Sequence, residues 1–600
     1  MTSSPSPARC ATPPPSPVHR TGEGGRGVRL RLLPLLLFTL ACNAFASRRP
    51  FNLTATPARP PATQTFTLTP TPTPAPTVTR RPLPTPTGTP EPEGGLRLSD
   101  LTFHPDPQLY SGDTVSLEIN AAHSDPAWQD APVNLYVNTR TGAPVATARF
   151  GRFGIGGRAQ ATFFWAWDTT SLAGPQTLWV TIGPASAVLP LDVLTLTVNL
   201  LPASQRPAPE PLAQWTQSES ACCLFHYLSH TAAERDIELI KSEADSALAQ
   251  VEQTLGVTAQ KKIGFTLLSR LLGHGGFAGE EISLTYIDRN AAGNHFPTVL
   301  EHEMTHLLDR QISEAHPAFM GEGLAVYVAG GHYKPEDLDA RSAALLTLGR
   351  YLPLGDLADN FYIAQHEVGY LEGAGFIKFL VDTYGWDKFR NFYASFPDSP
   401  SQKEMLNAGL LANFGQSLAE LESQWLAHLR TLTPTQAQID DLRLTIALFD
   451  SLRRYQQLDD PSAYFLTAWL PDGPQGRQRH ITADFIRHPH APENIALEAM
   501  LATAEQALEA GEYNRIDPLL NSVNATLAAN NLFTDPLAAN YLQIVMSLSA
   551  KGYEVQTITL DGVTATVTAI RDWPTLETLT LKHTASGWGV ASDGIILSKQ

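Results

Sequence analysis

The 600-residue chain has four cysteines, too few to staple a fold of this length with disulfides. Cys10 and Cys42 stand near the start, and Cys222 and Cys223 are neighbours. Adjacent residues on a strand point to opposite faces, so an ordinary disulfide between the last two would be strained; they read as two inert, partly buried thiols. Positive charge is also scarce. The 42 Lys and Arg against 59 Asp and Glu leave a net charge of -17, with no basic block in the body of the chain. That excludes nucleic acid as the expected partner, and the dispersed negative charge reads as a device for solubility. The apolar run Leu32 to Ala41 is too short to cross a bilayer as a relaxed helix. No repeat at a solenoid period is found.

What is present falls into five stretches. In residues 1–45, Arg20, Arg26, Arg29 and Arg31 precede the apolar run, and small residues follow it, the pattern of a secretory leader. Thr39-Leu40-Ala41-Cys42 resembles a bacterial lipobox, which implies acylation of Cys42 and an anchor at the outer face of the cell membrane. Plain secretion and an uncleaved anchor are the alternatives. Residues 46–95 are a Thr/Pro tract with no apolar period, an expected disordered but semi-stiff linker. In residues 96–205, Val115–Ile119, Val133–Val137 and Leu194–Val198 alternate with period two between turn residues, which predicts a β-sandwich. That segment resembles immunoglobulin-like modules of bacterial surface proteins, with a spacer role expected.

Residues 213–433 read as α+β. Strands are expected at Cys223–Leu228, Lys262–Leu268 and Ile282–Ile287. Thr231 and Glu234 have the spacing of a capping box ahead of a helix. Ile237, Ile240, Ala244, Ala247, Leu248, Val251 and Leu255 share one face of that helix, and Gly256 is a suitable stop. Residues 434–600 are mostly helical and end in strand-like alternation.

The chemistry gathers at His302-Glu303-Met304-Thr305-His306. Pro297 suits the first turn of a helix, and four-residue spacing puts both imidazoles on one face, able to share a metal ion. Glu303 stands beside them, positioned to take a proton from a metal-activated water and deliver it to a leaving amine. Apolar neighbours (Val299-Leu300, Leu307-Leu308) bury this helix, and buried histidines and a glutamate are costly without a partner. Zinc suits two neutral nitrogens plus an oxygen, with a fourth position left open. A third histidine at the extended spacing is missing, because 309 is Asp and 312 is Ile. Glu322, in Gly321-Glu322-Gly323-Leu324-Ala325, lies 16 residues beyond His306 and becomes the oxygen ligand if a turn at His316-Pro317 folds the next helix back.

These two segments together resemble the gluzincin metallopeptidases, and most closely the bacterial peptidase MA-like family, with its His-Glu-x-x-His motif and Glu-Gly-x-Ala helix. Supporting similarity runs through Ser283–Arg289, Tyr351–Leu354 and Tyr370–Gly385. The resemblance implies a thermolysin-like core and one Zn2+ per chain on His302, His306 and Glu322. It implies that Ile282, Ser283, Leu284, Thr285 and Tyr286 pair with an extended peptide substrate. It also implies an oxyanion stabiliser, for which Tyr370 leads over Tyr327 and His366. Many relatives carry an acidic residue one turn after the glutamate ligand. Here that position is Val326, so a main-chain carbonyl or Asp309 must orient the first histidine. The expected function is extracytoplasmic zinc-dependent peptide hydrolysis. The alternative is a degenerate peptidase fold serving as a surface binding or scaffold protein.

Overall fold

The computed structural model describes residues 95–103, 109–113, 115–121, 128–151, 159–165, 169–184, 190–273, 275–292, 295–313, 315–364, 366–397, 399, 401–464 and 472–597. The leader, Cys42 and the Thr/Pro tract lie outside them. Within the described residues the chain mixes helix and sheet, with several sheets and a mostly helical C-terminal region. No helix among them is long and apolar enough to cross a membrane.

The first part is a two-sheet β-sandwich. Its strands are β1 (Leu101–Phe103), β2 (Leu109–Tyr110), β3 (Val115–Ala121), β4 (Pro132–Val137), β5 (Ala146–Arg149), β6 (Ala159–Trp165), β7 (Gly174–Ile182) and β8 (Asp192–Leu201). One sheet runs β1-β3-β6, the other β2-β8-β7-β4-β5. In β8 the period-two alternation works as expected, with Leu196, Val198 and Leu200 turned inward to a core shared by both sheets; in β4, Val133 and Leu135 join that core, but Asn134 and Tyr136 between them are buried too.

A five-stranded sheet follows, in the order β12-β13-β11-β10-β9, from β9 (Trp215–Glu219), β10 (Cys223–Leu228), β11 (Ile263–Leu268), β12 (Gly276–Ala278) and β13 (Ile282–Thr285). The three central strands are parallel and the two edges antiparallel. Helix α1 (Ala232–Arg235) leads into α2 (Ile237–Leu255), which buries Ile240, Ala244, Ala247, Leu248, Val251 and Leu255 and ends at Gly256 in the left-handed region, φ 65°. Each large apolar side chain so buried contributes about 1.5–3 kcal/mol. The expected capping box forms differently. The Thr231 hydroxyl donates to the Leu228 carbonyl, and Glu234 accepts from the His230 amide rather than from Thr231.

Two expectations need correction here. Cys222 and Cys223 form a disulfide rather than two thiols. Cys222 lies in the turn before β10, so the opposite-face rule for strand residues does not separate the pair, and Asp245 holds that turn by accepting from the Ala221 and Cys222 amides and the Ser220 hydroxyl. The second correction concerns Ile282–Tyr286. Both edges of β13 are occupied, by β11 and β12; the Thr285 amide donates to Gly275 O at 2.6 Å and the Tyr286 amide to Leu268 O at 2.7 Å. These residues have no main-chain edge to offer a peptide. The edge strand is β12, three residues that a glycine-rich stretch had concealed.

The remaining helices are α3 (Phe296–Leu308), α4 (Ala318–Ala329), α5 (Leu338–Thr347), α6 (Leu354–Asn360), α7 (His366–Tyr384), α8 (Trp386–Tyr393), α9 (Gln402–Phe414), α10 (Leu418–Leu429), α11 (Gln436–Asp459), α12 (Gly473–Gln478), α13 (Ala483–Ile486), α14 (Pro492–Glu509), α15 (Tyr513–Ala528) and α16 (Pro536–Ser549). The chain ends in the meander β14 (Glu554–Asp561), β15 (Thr564–Ile570), β16 (Leu576–Thr584) and β17 (Gly587–Leu597).

One hydrophobic core runs from Cys223 to Trp588, straight through the boundary expected at 433/434. Buried ions stitch it together. Arg289, in the loop before α3, pairs with Glu498 of α14 at 2.6 Å and donates to Val555 O at 2.7 Å. Arg487 joins Asp113 of the sandwich (2.7 Å) and Glu210 (2.5 Å), with the Tyr110 ring 4.8 Å away. Removing one partner of such a pair strands a charge away from water. Arg289→Ala should therefore cost about 3–5 kcal/mol, seen as a lower midpoint in urea unfolding.

Candidate metal centre

Helix α3 begins as its sequence demands. The His295 ring caps it by accepting from the Thr298 amide at 3.3 Å, and Pro297 occupies the first turn. The helix is buried along most of its length, and His302, Glu303 and His306 all lie out of solvent. After the turn at His316-Pro317, α4 runs back against α3 and carries Glu322, also buried.

These residues meet. His302 Nε2 and His306 Nε2 are 3.1 Å apart, and Glu322 Oε2 is 3.4 Å and 3.3 Å from them. Burial lowers the His302 pKa to about 4 and that of His306 to about 3, so both rings are neutral near pH 7 and can each present a lone pair inward. Burial pushes the Glu322 pKa upward, opposed by the neighbouring His302 ring and the Tyr370 and Tyr362 side chains. Two imidazole nitrogens and one carboxylate oxygen form a group that could hold a metal ion. Donors about 2.0–2.1 Å from a tetrahedral zinc stand about 3.3 Å from one another, so the spacing fits.

Glu303 points toward the sheet edge: a Cβ built on Gly276 of β12 would stand 3.6 Å from Glu303 Oε1. Tyr370 of α7 is within reach as well. Its ring lies 6.1 Å from the His302 ring, centroid to centroid. Tyr327 lies elsewhere, stacked on Trp386 at 6.4 Å. The backbone of His366 opens α7, but its side chain is outside the described residues. Asp309 accepts from the Tyr393 hydroxyl at 2.7 Å and lies 3.3 Å from His316 Nε2; it acts on His306 only as a nearby charge. His302 Nδ1 makes no hydrogen bond among the described residues, in keeping with Val326 at the position where an acidic partner was sought.

Two neighbours escaped sequence reasoning. Tyr362 is half-buried, with its hydroxyl 3.4 Å from Glu322 Oε1. His332 is fully buried, and its ring stacks on Tyr370 with centroids 4.3 Å apart. Tyr362 lies in the 3-10 turn Phe361–Ile363 and His332 in the loop after α4, both too short to show a helical period. The signal that was available is the pair of glycines before His332, which marks a sharp reversal.

Close helix contact sets these distances. A Cβ on Gly323 of α4 would stand 2.6 Å from the backbone of Gly373 in α7. The two glycines let α7 pack closely on α4, the helix that carries Glu322.

No protein-family model matches the chain, and no curated protein matches it. Among solved structures, it is similar to an aminopeptidase N family protein from Idiomarina loihiensis, at 9% identity and a TM-score of 0.21, over 55% of this chain and 73% of that one. It is also similar to IMPa from Pseudomonas aeruginosa, solved in complex with an O-glycopeptide, at 11% identity and a TM-score of 0.18. The likeness to IMPa covers 66% of this chain and about half of that one, 52%. At these TM-scores neither likeness bears on the chemistry, which rests on the residues themselves.

The helix contact gives a direct test of the scaffold. Gly323→Ala forces α4 and α7 apart against a packed core. It should cost about 1–3 kcal/mol in urea unfolding, an overpacking penalty where an open helix site would gain stability from the same change.

Proposed function

We propose that this chain is a zinc-dependent metallopeptidase of gluzincin type, with His302, His306 and Glu322 as metal ligands and Glu303 as general base. The observation that carries the reading is the buried triangle of His302 Nε2, His306 Nε2 and Glu322 Oε2, with Glu303 one residue along the same helix. Bound zinc would supply a Lewis acid for the scissile carbonyl and lower the pKa of a water beside it.

The chain's own residues do the rest. Glu303 Oε1 or Oε2 takes the proton of the attacking water and passes it to the leaving amine nitrogen. Gly276 of the edge strand lies against Glu303, so an extended peptide added beside β12 brings its carbonyl to the base. That role moves from Ile282–Tyr286 to β12. The Tyr362 hydroxyl donates to Glu322 Oε1 at 3.4 Å, which suits it to hold that ligand. Tyr370, whose ring lies 6.1 Å from the His302 ring, keeps the role of oxyanion stabiliser in this reading.

The substrate in this reading is a peptide or protein outside the cell, and the leader with Cys42 tethers the enzyme to the membrane surface as a lipoprotein. Four intact site residues favour this over a degenerate binding module.

Glu303→Gln is the test. It preserves shape and leaves the three ligands in place, so the variant should bind zinc like the wild type while kcat for a peptide-library digest falls about 10²–10⁴-fold. A variant that cleaves as fast as the wild type would remove Glu303 from the chemistry.

A further inference from the structure

Just past His306, helix α3 tightens into a single 3-10 turn, Asp309–Gln311, and the Arg310 side chain reaches the edge strand from there. Its Nη1 donates to Gly279 O at 2.9 Å and its Nη2 to Ala278 O at 3.0 Å. Those two carbonyls stand at the far end of β12, whose first residue, Gly276, lies against Glu303. One short strand thus has the proposed base at one end and a fixed guanidinium at the other. At about 3.3 Å of rise per residue, the two or three steps from Gly276 to Ala278 and Gly279 span roughly 7–10 Å.

A guanidinium keeps its charge at any ordinary pH, and two carbonyls neutralise none of it. No carboxylate pairs with Arg310 among the described residues, and the side chain is exposed. A cleft of about 980 Å3 opens beside it, with Lys261, Lys262, Glu280 and Glu281 in its lining. Two of these charges are engaged by neighbours: Lys262 pairs with Glu219, and Glu281 pairs with Arg477 at 2.7 Å and accepts from the Thr266 hydroxyl at 2.9 Å. Arg310 and Lys261 then face Glu280 alone, which leaves the cleft locally positive in a chain whose net charge is -17. Nothing in the proposed hydrolysis uses that charge.

We propose that Arg310 anchors a subsite for acidic side chains, so that the preferred substrates are peptides with Asp or Glu a few residues from the bond that is cut. This rests on the peptidase reading and on the peptide lying beside β12. A main chain laid along that strand from Gly276 reaches Ala278 O and Gly279 O, which the guanidinium already engages. There it meets a positive charge, and a carboxylate is the group that complements it. Of the five N–H donors of Arg310 the two carbonyls use two, and they fix the fork before any peptide arrives, so little side-chain freedom is lost on binding. Because the contact is exposed, salt should screen it.

The experiment digests a peptide library with the full chain, at low and high salt, and reads the cut sites by mass spectrometry. The variants are Arg310→Gln, which keeps a donor for the β12 carbonyls but no charge, and Arg310→Lys, which keeps the charge. Wild type should favour bonds with Asp or Glu about two to four residues away, on one side of the cut, about tenfold over the same bonds with Asn or Gln there. High salt should shrink that ratio, Arg310→Gln should abolish it and Arg310→Lys should keep most of it. Cleavage with no acidic preference, or the same preference in Arg310→Gln, would overturn the subsite and leave the peptidase reading standing. A wild-type chain that cuts nothing would defeat the peptidase reading. The anisotropy of a fluorescein-labelled Glu-rich peptide, with its Gln counterpart as control, then decides the subsite: selective binding lost in Arg310→Gln supports it, and equal binding of the two peptides defeats it.

Discussion

Two neutral imidazoles and a carboxylate facing one another out of solvent set the terms for everything around them. Each was removed from water on folding, and a dry interior offers no solvent to satisfy what they present inward. A divalent cation would meet all three demands at once, and two nitrogens and an oxygen about 3.3 Å apart are spaced to hold one. Without it, the burial that lowers both histidine pKa values is a cost with no return.

The scaffold holds that arrangement from three sides. From the sheet, β12 sets Gly276 against Glu303. From below, the close pass of Gly323 and Gly373 brings α7 to α4, and the Tyr370 ring of α7 stands 6.1 Å from the His302 ring. From the C-terminal helices come Glu498, which fixes the loop before α3 through Arg289, and Asp441, which pairs with Arg341 of α5 at 2.6 Å. The sandwich is no loose spacer either, since Arg487 joins it to the rest by buried pairs to Asp113 and Glu210.

Much of the site was legible because it is helical. Four-residue spacing on an apolar helix determines where His302 and His306 point, and only one glutamate lies at the right distance on the next helix. The buried face of α2 could be read for the same reason, as could the alternating strands of the sandwich. What escaped has little period of its own. β12 is three residues long and begins with glycine, so β13, the stronger strand, was mistaken for the edge. His332 sits in a loop and Tyr362 in a single 3-10 turn. The ion pairs that bind the C-terminal helices to the site link residues a hundred or more positions apart, such as Arg341 and Asp441, and no local pattern announces them. The cysteine pair was read as if both residues lay on a strand, whereas the chain turns at Cys222.

The central claim is that His302, His306 and Glu322 close around one metal ion. Metal analysis of the purified full-length protein after equilibration with zinc and removal of excess ion tests it most directly. The account predicts close to one zinc per wild-type chain and loss of that zinc in Glu322→Ala. A wild-type chain without bound metal, or a Glu322→Ala variant that retains it fully, would contradict the account.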